Sequence, residues 1–474
     1  MIERVLTKSQ IERLHENSLR ILENIGVRVP HAEMLARFAD AGARVDRIEQ
    51  RVHIPAALVA RCLAQAGKQY TLYGRDLTRT AAFGQGRRNY NSIAGEASWV
   101  ETPGAGRRYT TLADVAAAAR LGDALESLTI PGAMSDPHEL PVAHRCVAVF
   151  AALLRHTTKP VTFWYHDRAS ARFINEILIA LRGDEQRAAQ YPACYPFLEP
   201  ISPLRFPFDG IDLLFETARL NLPVPIGPMA QVGLTAPATL AGAMSLENAE
   251  ILAGVCITQL IRPGTPVCYG GICHAFDMRT TQMIFAGPEQ AIFGVAMTQM
   301  GKHYGLPVYV NVGLTDAKRP DGQAGLEAGI TLMLAAAAGA DIFGHLGISG
   351  VDQASSLDML VLQHEIIRYV ESALREIPMD DDALGFDEIA DAGIGGSFIG
   401  REHTVRHFRR ELWMPRLLDR DFYEAWRTAG AASMEARCVQ ERQALLASHR
   451  PEPMDPALDK TIASIVAAAQ RELK

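Results

Sequence analysis

The feature that most constrains this chain is a rhythm: from Asn89 onward, short β-prone runs alternate with longer Ala- and Leu-rich helical patterns. Such alternation is the signature of repeated βα units around a parallel sheet. Eight runs can be placed, at Asn89–Ile93, Thr129–Met134, Val161–Trp164, Phe197–Pro200, Val224–Gly227, Val267–Gly271, Val308–Val312 and Ile342–Leu346. Pro160, Pro223, Pro266 and Pro307 each stand just before a run, where the missing N–H costs no ladder bond. Eight units in roughly 260 residues suit a barrel better than an open doubly wound sheet. The expected fold class is therefore α/β, a (β/α)8 TIM barrel over residues 86–350 with helical regions at both ends.

The N-terminal region, 1–85, reads as helical. Thr7 and Gln10 form a capping-box pattern, Ile11, Leu14, Ile21, Leu22 and Ile25 recur at helical spacing, and Gly26 ends the run. Two further helices are expected near His31–Ala41 and Pro55–Ala66, with Gly42 and Gly67 where a left-handed cap is usual. Beyond the barrel, an amphipathic helix from Ser356 to Arg375 meets an acidic break at Asp380, Asp381 and Asp382, and helical patterns continue to Lys474. Residues 351–474 thus read as a C-terminal helical region.

Charge narrows the function classes. A formal net charge of −7 supplies no basic footprint for nucleic acid or an anionic membrane. Seven cysteines, odd in number and scattered through apolar stretches, suit reduced thiols rather than a disulfide framework. The start, Met-Ile-Glu-Arg, has no signal-peptide pattern, and the apolar segment Leu332–Ala340 is too short to span a bilayer, so a cytoplasmic protein is expected.

In such barrels the reacting groups lie at the C-terminal ends of the strands and in the loops that follow. That rule nominates Asn91, Ser92, Ser135, Asp136, Tyr165, His166, Glu199, Ser202, Met229, Gln231, Tyr269, Gly271, the stretch from Asn311 to Asp316, and His345. Phe163, Tyr165, Tyr269 and His345 are the aromatic candidates for a pocket wall at these strand ends, and Asn311, Glu199 and His345 the polar ones. Cys268, Cys273 and His274 form a C-x4-C-H string without an apparent fourth ligand, so no metal site is expected. The acid groups Glu247 with Glu250, Asp277 with Glu289, and Asp316 with Asp321 lack a recognised ligand spacing and read as solvated or helix-capping. Gly393-Ile394-Gly395-Gly396-Ser397-Phe398 carries Phe398 where a dinucleotide fingerprint needs glycine. Lys318, beyond the seventh run, is a weak Schiff-base candidate for an aldolase or lyase.

Several ordered strings resemble the trimethylamine methyltransferase family: Thr239 to Ala243 continuing from Glu247 to Ala253, Gln259 to Gly264, Phe276 to Arg279, Gly287 to Glu289, Gly313 to Lys318 with Gln323 and Glu327, Leu346-Gly347, and Gly395-Gly396 with His403-Thr404 and Trp426. The resemblance implies a barrel that moves a methyl group from an amine to Co(I) of a corrinoid (cobalamin) carried by a separate partner protein, with no cofactor held tightly by this chain. Members acting on trimethylamine carry pyrrolysine at the position occupied here by Leu314, so this chain resembles a non-pyrrolysine member acting on a small quaternary amine of the glycine betaine, proline betaine or carnitine class. The substrate-binding set expected from this reading is Phe163, Tyr165, Glu199, Tyr269, Asn311, Gly313, Leu314 and His345, with no catalytic side chain assigned and a homo-oligomer as the expected assembly. Gln363-His364 before Glu365 departs from the family pattern, where an acid is expected. Alternatives are a different methyl acceptor such as a folate, and a non-catalytic quaternary-amine-binding barrel.

Overall fold

The computed structural model describes residues 4–102 and 104–473; the outermost positions of both expected helical regions, 1–3 and 474, lie outside them. Its centre is a five-stranded parallel sheet built from β1 (Asn89–Ser92), β2 (Val224–Ile226), β3 (Val267–Gly271), β4 (Val308–Asn311) and β5 (Ile342–Leu346), in the order β1-β5-β4-β3-β2. The registers Tyr269↔Val308, Tyr309↔Ile342 and Ile342↔Asn89 fix which residues stand side by side.

The remaining three expected strands are irregular. Thr129–Met134, Val161–Trp164 and Phe197–Pro200 run extended but join their neighbours only through single parallel bridges, Asn91↔Ile130, Gly132↔Thr162 and Leu198↔Ile226. A backbone bond from Val161 N–H to the Ala193 carbonyl, 2.9 Å, ties the second of these segments to the chain leading into the third. Part of the cause is in the sequence: Pro131, Pro192, Pro196 and Pro200 each remove a backbone donor in or just before the first and third of these segments, which weakens a ladder there.

A helix follows each of the eight segments: Leu112–Ala124, Val142–His156, Arg168–Arg182, Phe208–Thr217, Leu240–Ile261, Pro288–His303, Gly322–Ala338 and Leu357–Ala373. Leu240–Ile261 has the length and composition to cross a membrane, yet its residues from Ala243 to Gln259 are buried in the fold, as in a core helix.

Side-chain alternation divides the strands into two faces. Val308, Val310 and Val312 join Val267, Tyr269, Val224 and Ile226 in the large cluster beneath the helices. Tyr309, Cys268, Ile342, Ile130 and Tyr195 face inward into a separate cluster. Into that cluster an N-terminal hairpin, Tyr70–Tyr73 with Thr80–Phe83, inserts Tyr70, Leu72, Ala81 and Phe83. Asn89 Nδ2 donates to the Ala82 carbonyl at 2.7 Å, which anchors the hairpin at the N-terminal ends of the strands.

The N-terminal region departs from the helical expectation. Helices Lys8–Arg20, Ala32–Asp40 and Ala56–Gln65 are present, the first with the Thr7–Gln10 capping box, but short strands lie between and after them. Gly42 takes the left-handed conformation at φ +93°, whereas Gly67 does not. Gly67 bridges to Pro266, and a Cβ there would stand 2.9 Å from the Pro266 Cα, so close backbone approach explains this glycine. At the other end, helices Met434–Ser448 and Pro456–Glu472 pack back on the body, burying Cys438, Ile462 and Ala469.

Candidate active site

A cavity of about 490 Å³ opens at the C-terminal ends of the strands, lined by Trp164, Tyr165, His166, Phe197, Glu199, Ser202, Met229 and Gln231 among others. Two of its lining residues, Trp164 and Phe197, belong to a ring of four packed aromatic side chains completed by Tyr309 and His345 behind them. Ring centroids stand 6.4 Å apart for Trp164–Phe197, 5.5 Å for Phe197–Tyr309, 5.6 Å for Tyr309–His345 and 6.0 Å for His345–Trp164, all steeply inclined. Trp164 is held by its indole N–H, which donates to the Gly95 carbonyl at 2.9 Å. Gly344 makes the ring possible: a Cβ there would stand 2.0 Å from Asn91 Oδ1 and 2.3 Å from the Tyr309 hydroxyl.

Around this ring lie polar atoms that are buried without a hydrogen-bond partner: Asn91 Oδ1 and both amide atoms of Asn311. Such orphans cost stability and mark places where a ligand or water completes the bonding. Burial drives His345 down to about 3, with the nearby His274 adding to the effect, and burial drives His274 down to about 4. Both imidazoles are therefore neutral at physiological pH, able to donate or accept but carrying no charge.

Three acids gather at the mouth. Glu199 reaches into the cavity from the fourth segment, and desolvation, followed by the nearby charge of Asp352, pushes its carboxyl up to about 7. Burial raises Glu96, and the charge and hydrogen bond of Asp352 raise it further. Glu96 is therefore neutral at physiological pH, whereas Glu199 gains negative charge as pH rises through about 7, in a cavity with no lysine or arginine among its lining residues.

The loops that carry these groups are held by buried acids and amides. Glu247 and Glu250, three residues apart on Leu240–Ile261, face the same way. Glu247 accepts the Ile272 N–H at 2.6 Å and the Ala230 N–H at 3.3 Å, while Glu250 accepts the Ser202 hydroxyl at 2.7 Å and the Leu204 N–H at 2.5 Å. Burial raises both carboxyls, Glu250 to about 7. They are thus neither solvated nor capping, as their spacing suggested, but loop anchors. Gln363 does the same between two other loops, accepting the Gly347 N–H and donating to the Gly313 carbonyl, each at 2.7 Å. That bridge uses both ends of an amide, which an acid in this place would not supply.

The expected site residues divide. Tyr165 and Glu199 line the cavity, His345 belongs to the aromatic ring, and Asn311, paired with Gly344 in register, supplies an orphaned amide beside it. Phe163 and Tyr269 do not reach the cavity. Phe163 stacks on Phe150 at 4.9 Å beneath the helices, and the Tyr269 hydroxyl donates to Asn248 Oδ1 at 2.9 Å on the outer side of the sheet. The reason is strand parity: Phe163 and Tyr165 share a face, with rings 4.9 Å apart, and leave Trp164 on the other. Gly313, at φ +77°, contributes backbone to the Gln363 bridge. Leu314, expected to face the central cavity, is 0% exposed within the large cluster and does not line the open cavity.

Trp164, Phe197, Tyr309, His274 and the Glu96–Asp352 pair, which the structure places in or beside the cavity, are not in the substrate-binding set expected from the sequence. For the first three the signal was available, since each stands an even number of residues from, or directly between, a nominated position. Lys318 is exposed, its ammonium donating to the Asp316 carbonyl at 2.8 Å, and it takes no part in the cavity. All seven cysteines are free and buried, and burial raises the thiols of Cys194, Cys268 and Cys273 near the strand ends.

Residues 2–474 match the family profile described as trimethylamine methyltransferase (MTTB). The chain is 30% identical to a glycine betaine methyltransferase of Desulfitobacterium hafniense (strain Y51), over 99% of this chain and 98% of that relative. It is 28% identical to a trimethylamine methyltransferase MttB of Desulfitobacterium hafniense (strain DSM 10664 / DCB-2), over 98% and 93%, and 30% identical to the MttB2 protein of Methanosarcina mazei, over 99% and 96%. Among solved structures, the monomethylamine methyltransferase (MtmB) of Methanosarcina barkeri aligns with a TM-score of 0.50 at 8% identity, over 98% of this chain and 91% of that one. A hydroxylamine complex of MtmB aligns with a TM-score of 0.52 at 9% identity, over 99% and 88%. These two show a shared α/β fold, while the sequence relatives establish descent: this chain belongs to the trimethylamine methyltransferase family and is a methyltransferase.

Proposed function

We propose that this chain moves a methyl group from a small quaternary amine, of the glycine betaine, proline betaine or carnitine class, to Co(I) of a corrinoid carried by a separate protein. In this reading the eight βα units close as a (β/α)8 barrel over residues 86–350, with the flanking regions bracing it, and the substrate sits in the C-terminal mouth. The bridges at Ile130, Thr162 and Leu198 support closure.

The observation that carries the proposal is the cluster of four rings, Trp164, Phe197, Tyr309 and His345, of which Trp164 and Phe197 line the cavity with Glu199 beside them. Aromatic faces within about 6 Å attract a trimethylammonium group, worth about 0.5–2 kcal/mol per ring as the site is desolvated. Glu199, once ionised, adds charge attraction. Asn311 Nδ2 is a buried donor without a partner, suited to the substrate's carboxylate end. Displacement at a methyl carbon needs in-line approach and a neutral leaving group. A quaternary ammonium provides that group directly, departing as a tertiary amine with no proton to manage. Trimethylamine does not, and Leu314 has no electrophilic atom with which to activate it. The methyl acceptor is written as the second substrate, a Co(I) corrinoid supplying the nucleophile through the open mouth. The raised thiols of Cys194, Cys268 and Cys273 are poor nucleophiles, which favours an external acceptor over a methylated side chain.

The test is spectrophotometric: the chain is mixed with Co(I) cobalamin and either a betaine or trimethylamine, and absorbance follows cobalt methylation. Methyl transfer from a betaine with little or none from trimethylamine is expected. Robust transfer from trimethylamine with inert betaines overturns the substrate class. Betaine binding with no transfer to cobalt overturns the acceptor and leaves a folate acceptor or a non-catalytic binder.

A further inference from the structure

Between the body and the two C-terminal packing helices runs a projecting arm of four short helices, Asp381–Leu384, Phe386–Ala392, Glu402–Glu411 and Tyr423–Thr428, none of which has a buried residue. A segment this small without a core needs another fastening, and polar side chains concentrate where its helices meet. Arg401 joins Glu388 at 2.8 Å and also Asp391. More telling is a set of three side chains that the reaction above does not use.

His403 and His407 are four residues apart on Glu402–Glu411 and so project from one face, their ring centroids 4.3 Å apart. Both turn toward Asp382 on Asp381–Leu384: His407 Nε2 lies 2.8 Å from Asp382 Oδ2, and His403 Nε2 lies 2.8 Å from the Asp382 carbonyl oxygen. One ligand atom from each of the three residues can be chosen so that all lie within 4.8 Å of one another. In a tetrahedral zinc site with bonds of roughly 2.0–2.1 Å, neighbouring ligand atoms stand about 3.3 Å apart, so modest side-chain rotations close the set on one ion. Two imidazoles and one carboxylate suit a borderline transition metal and not magnesium or calcium, which take oxygen ligands. Both histidines are only partly exposed, and Arg406, 3.2 Å from Asp382 Oδ1, leaves Oδ2 for the shared position.

We propose that Asp382, His403 and His407 bind a divalent transition metal of the zinc class that ties the helix Asp381–Leu384 to the helix Glu402–Glu411. The alternative is an ordinary hydrogen-bonded pair, His407 with Asp382, flanked by His403. The two differ in what they do with metal. The experiment uses the full, tag-free chain stripped with chelator and dialysed. Cobalt(II) chloride is titrated while the visible absorption of four-coordinate cobalt is followed, and zinc is then added in competition. One equivalent is expected, displaced by zinc, and lost in a double H403Q/H407Q variant whose circular dichroism and thermal unfolding match the parent. Asp382→Asn serves as the second variant and is expected to weaken uptake. Hydrogen exchange over residues 381–411 is expected to slow on zinc addition in the parent alone. A parent without the visible band, a double variant that keeps it, or exchange unchanged by zinc overturns the proposal.

Discussion

The two ends of the parallel strands are built on opposite principles. At the N-terminal end the hairpin residues Tyr70 and Phe83 stack 4.3 Å apart and fill the interior with Leu72, Ala81, Ile130 and Ile342. At the C-terminal end the interior is left open, and Asn311 and Asn91 keep buried polar atoms without partners. The closed end has exceptions in the hydroxyls of Tyr70 and Tyr195, but these are single groups in a packed cluster. The contrast teaches that one end holds the fold together while the other spends part of that stability on a site shaped for something not part of the chain.

The largest expected effect separates the ends by stability. Phe83→Ala leaves a cavity in the hairpin plug and is expected to lower unfolding free energy by about 3–5 kcal/mol. Its quaternary-amine affinity, measured on the folded fraction, is expected to hold. Denaturant midpoints read the first and calorimetry the second; a stability change under 1 kcal/mol, on the order of a single lost methylene, would show that the hairpin is not a structural plug.

Next in size is a substitution at the open end with the opposite sign. Asn311→Leu removes two orphaned amide atoms at nearly constant volume, so stability is expected to rise by about 1–3 kcal/mol, while betaine binding is lost. A destabilised variant would mean that Asn311 is already satisfied within the fold.

Smaller again is the aromatic wall. Trp164→Ala is expected to weaken binding of a quaternary ammonium by roughly 3- to 30-fold, the equivalent of about 0.5–2 kcal/mol for one ring, with 3,3-dimethylbutanoate, whose head group is an uncharged tert-butyl, less affected. Equal loss for charged and neutral head groups would reduce Trp164 to a steric wall.

The smallest effect is pH dependence. Glu199 is raised to about 7, so its carboxyl is mostly neutral below that pH and ionised above it. Affinity for a quaternary ammonium, whose own charge is fixed, is expected to increase as pH rises through about 7, and Glu199→Gln is expected to flatten the profile. A profile of unchanged shape in that variant would assign the titration elsewhere.

Much of this architecture was legible in the sequence because periodicity is a local property. The five regular strands fall where alternation and proline entry put them, and the helix at Leu357–Ala373 begins after the Ser356 cap. The three irregular segments were placed correctly but their lack of ladder bonding was not anticipated, although Pro131, Pro192 and Pro196 carry part of the reason. The candidate site was legible in part: the strand-end rule named Glu199, which lines the cavity, and Asn311 and His345, which lie beside it, whereas alternation turns Phe163 and Tyr269 outward and leaves Trp164 and Tyr309 on the inner side. His274 and the Glu96–Asp352 pair meet only through tertiary packing, from loops far apart in the chain, and no spacing announces them. Glu247 and Glu250 looked solvated because their partners, Ala230, Ile272, Ser202 and Leu204, are backbone and loop groups that a sequence pattern does not display.

The central claim is that the open end recognises a fixed positive charge on a trimethyl group. Calorimetric titration of the chain with glycine betaine and with 3,3-dimethylbutanoate, which replaces the ammonium nitrogen by carbon at nearly the same shape, tests it most directly. At pH 8, with Glu199 ionised, betaine is expected to bind at least about tenfold more tightly, a gap of about 1.4 kcal/mol that one or two aromatic contacts and a nearby carboxylate readily supply. Equal affinity for the two ligands, or tighter binding of the carbon isostere, would contradict the account.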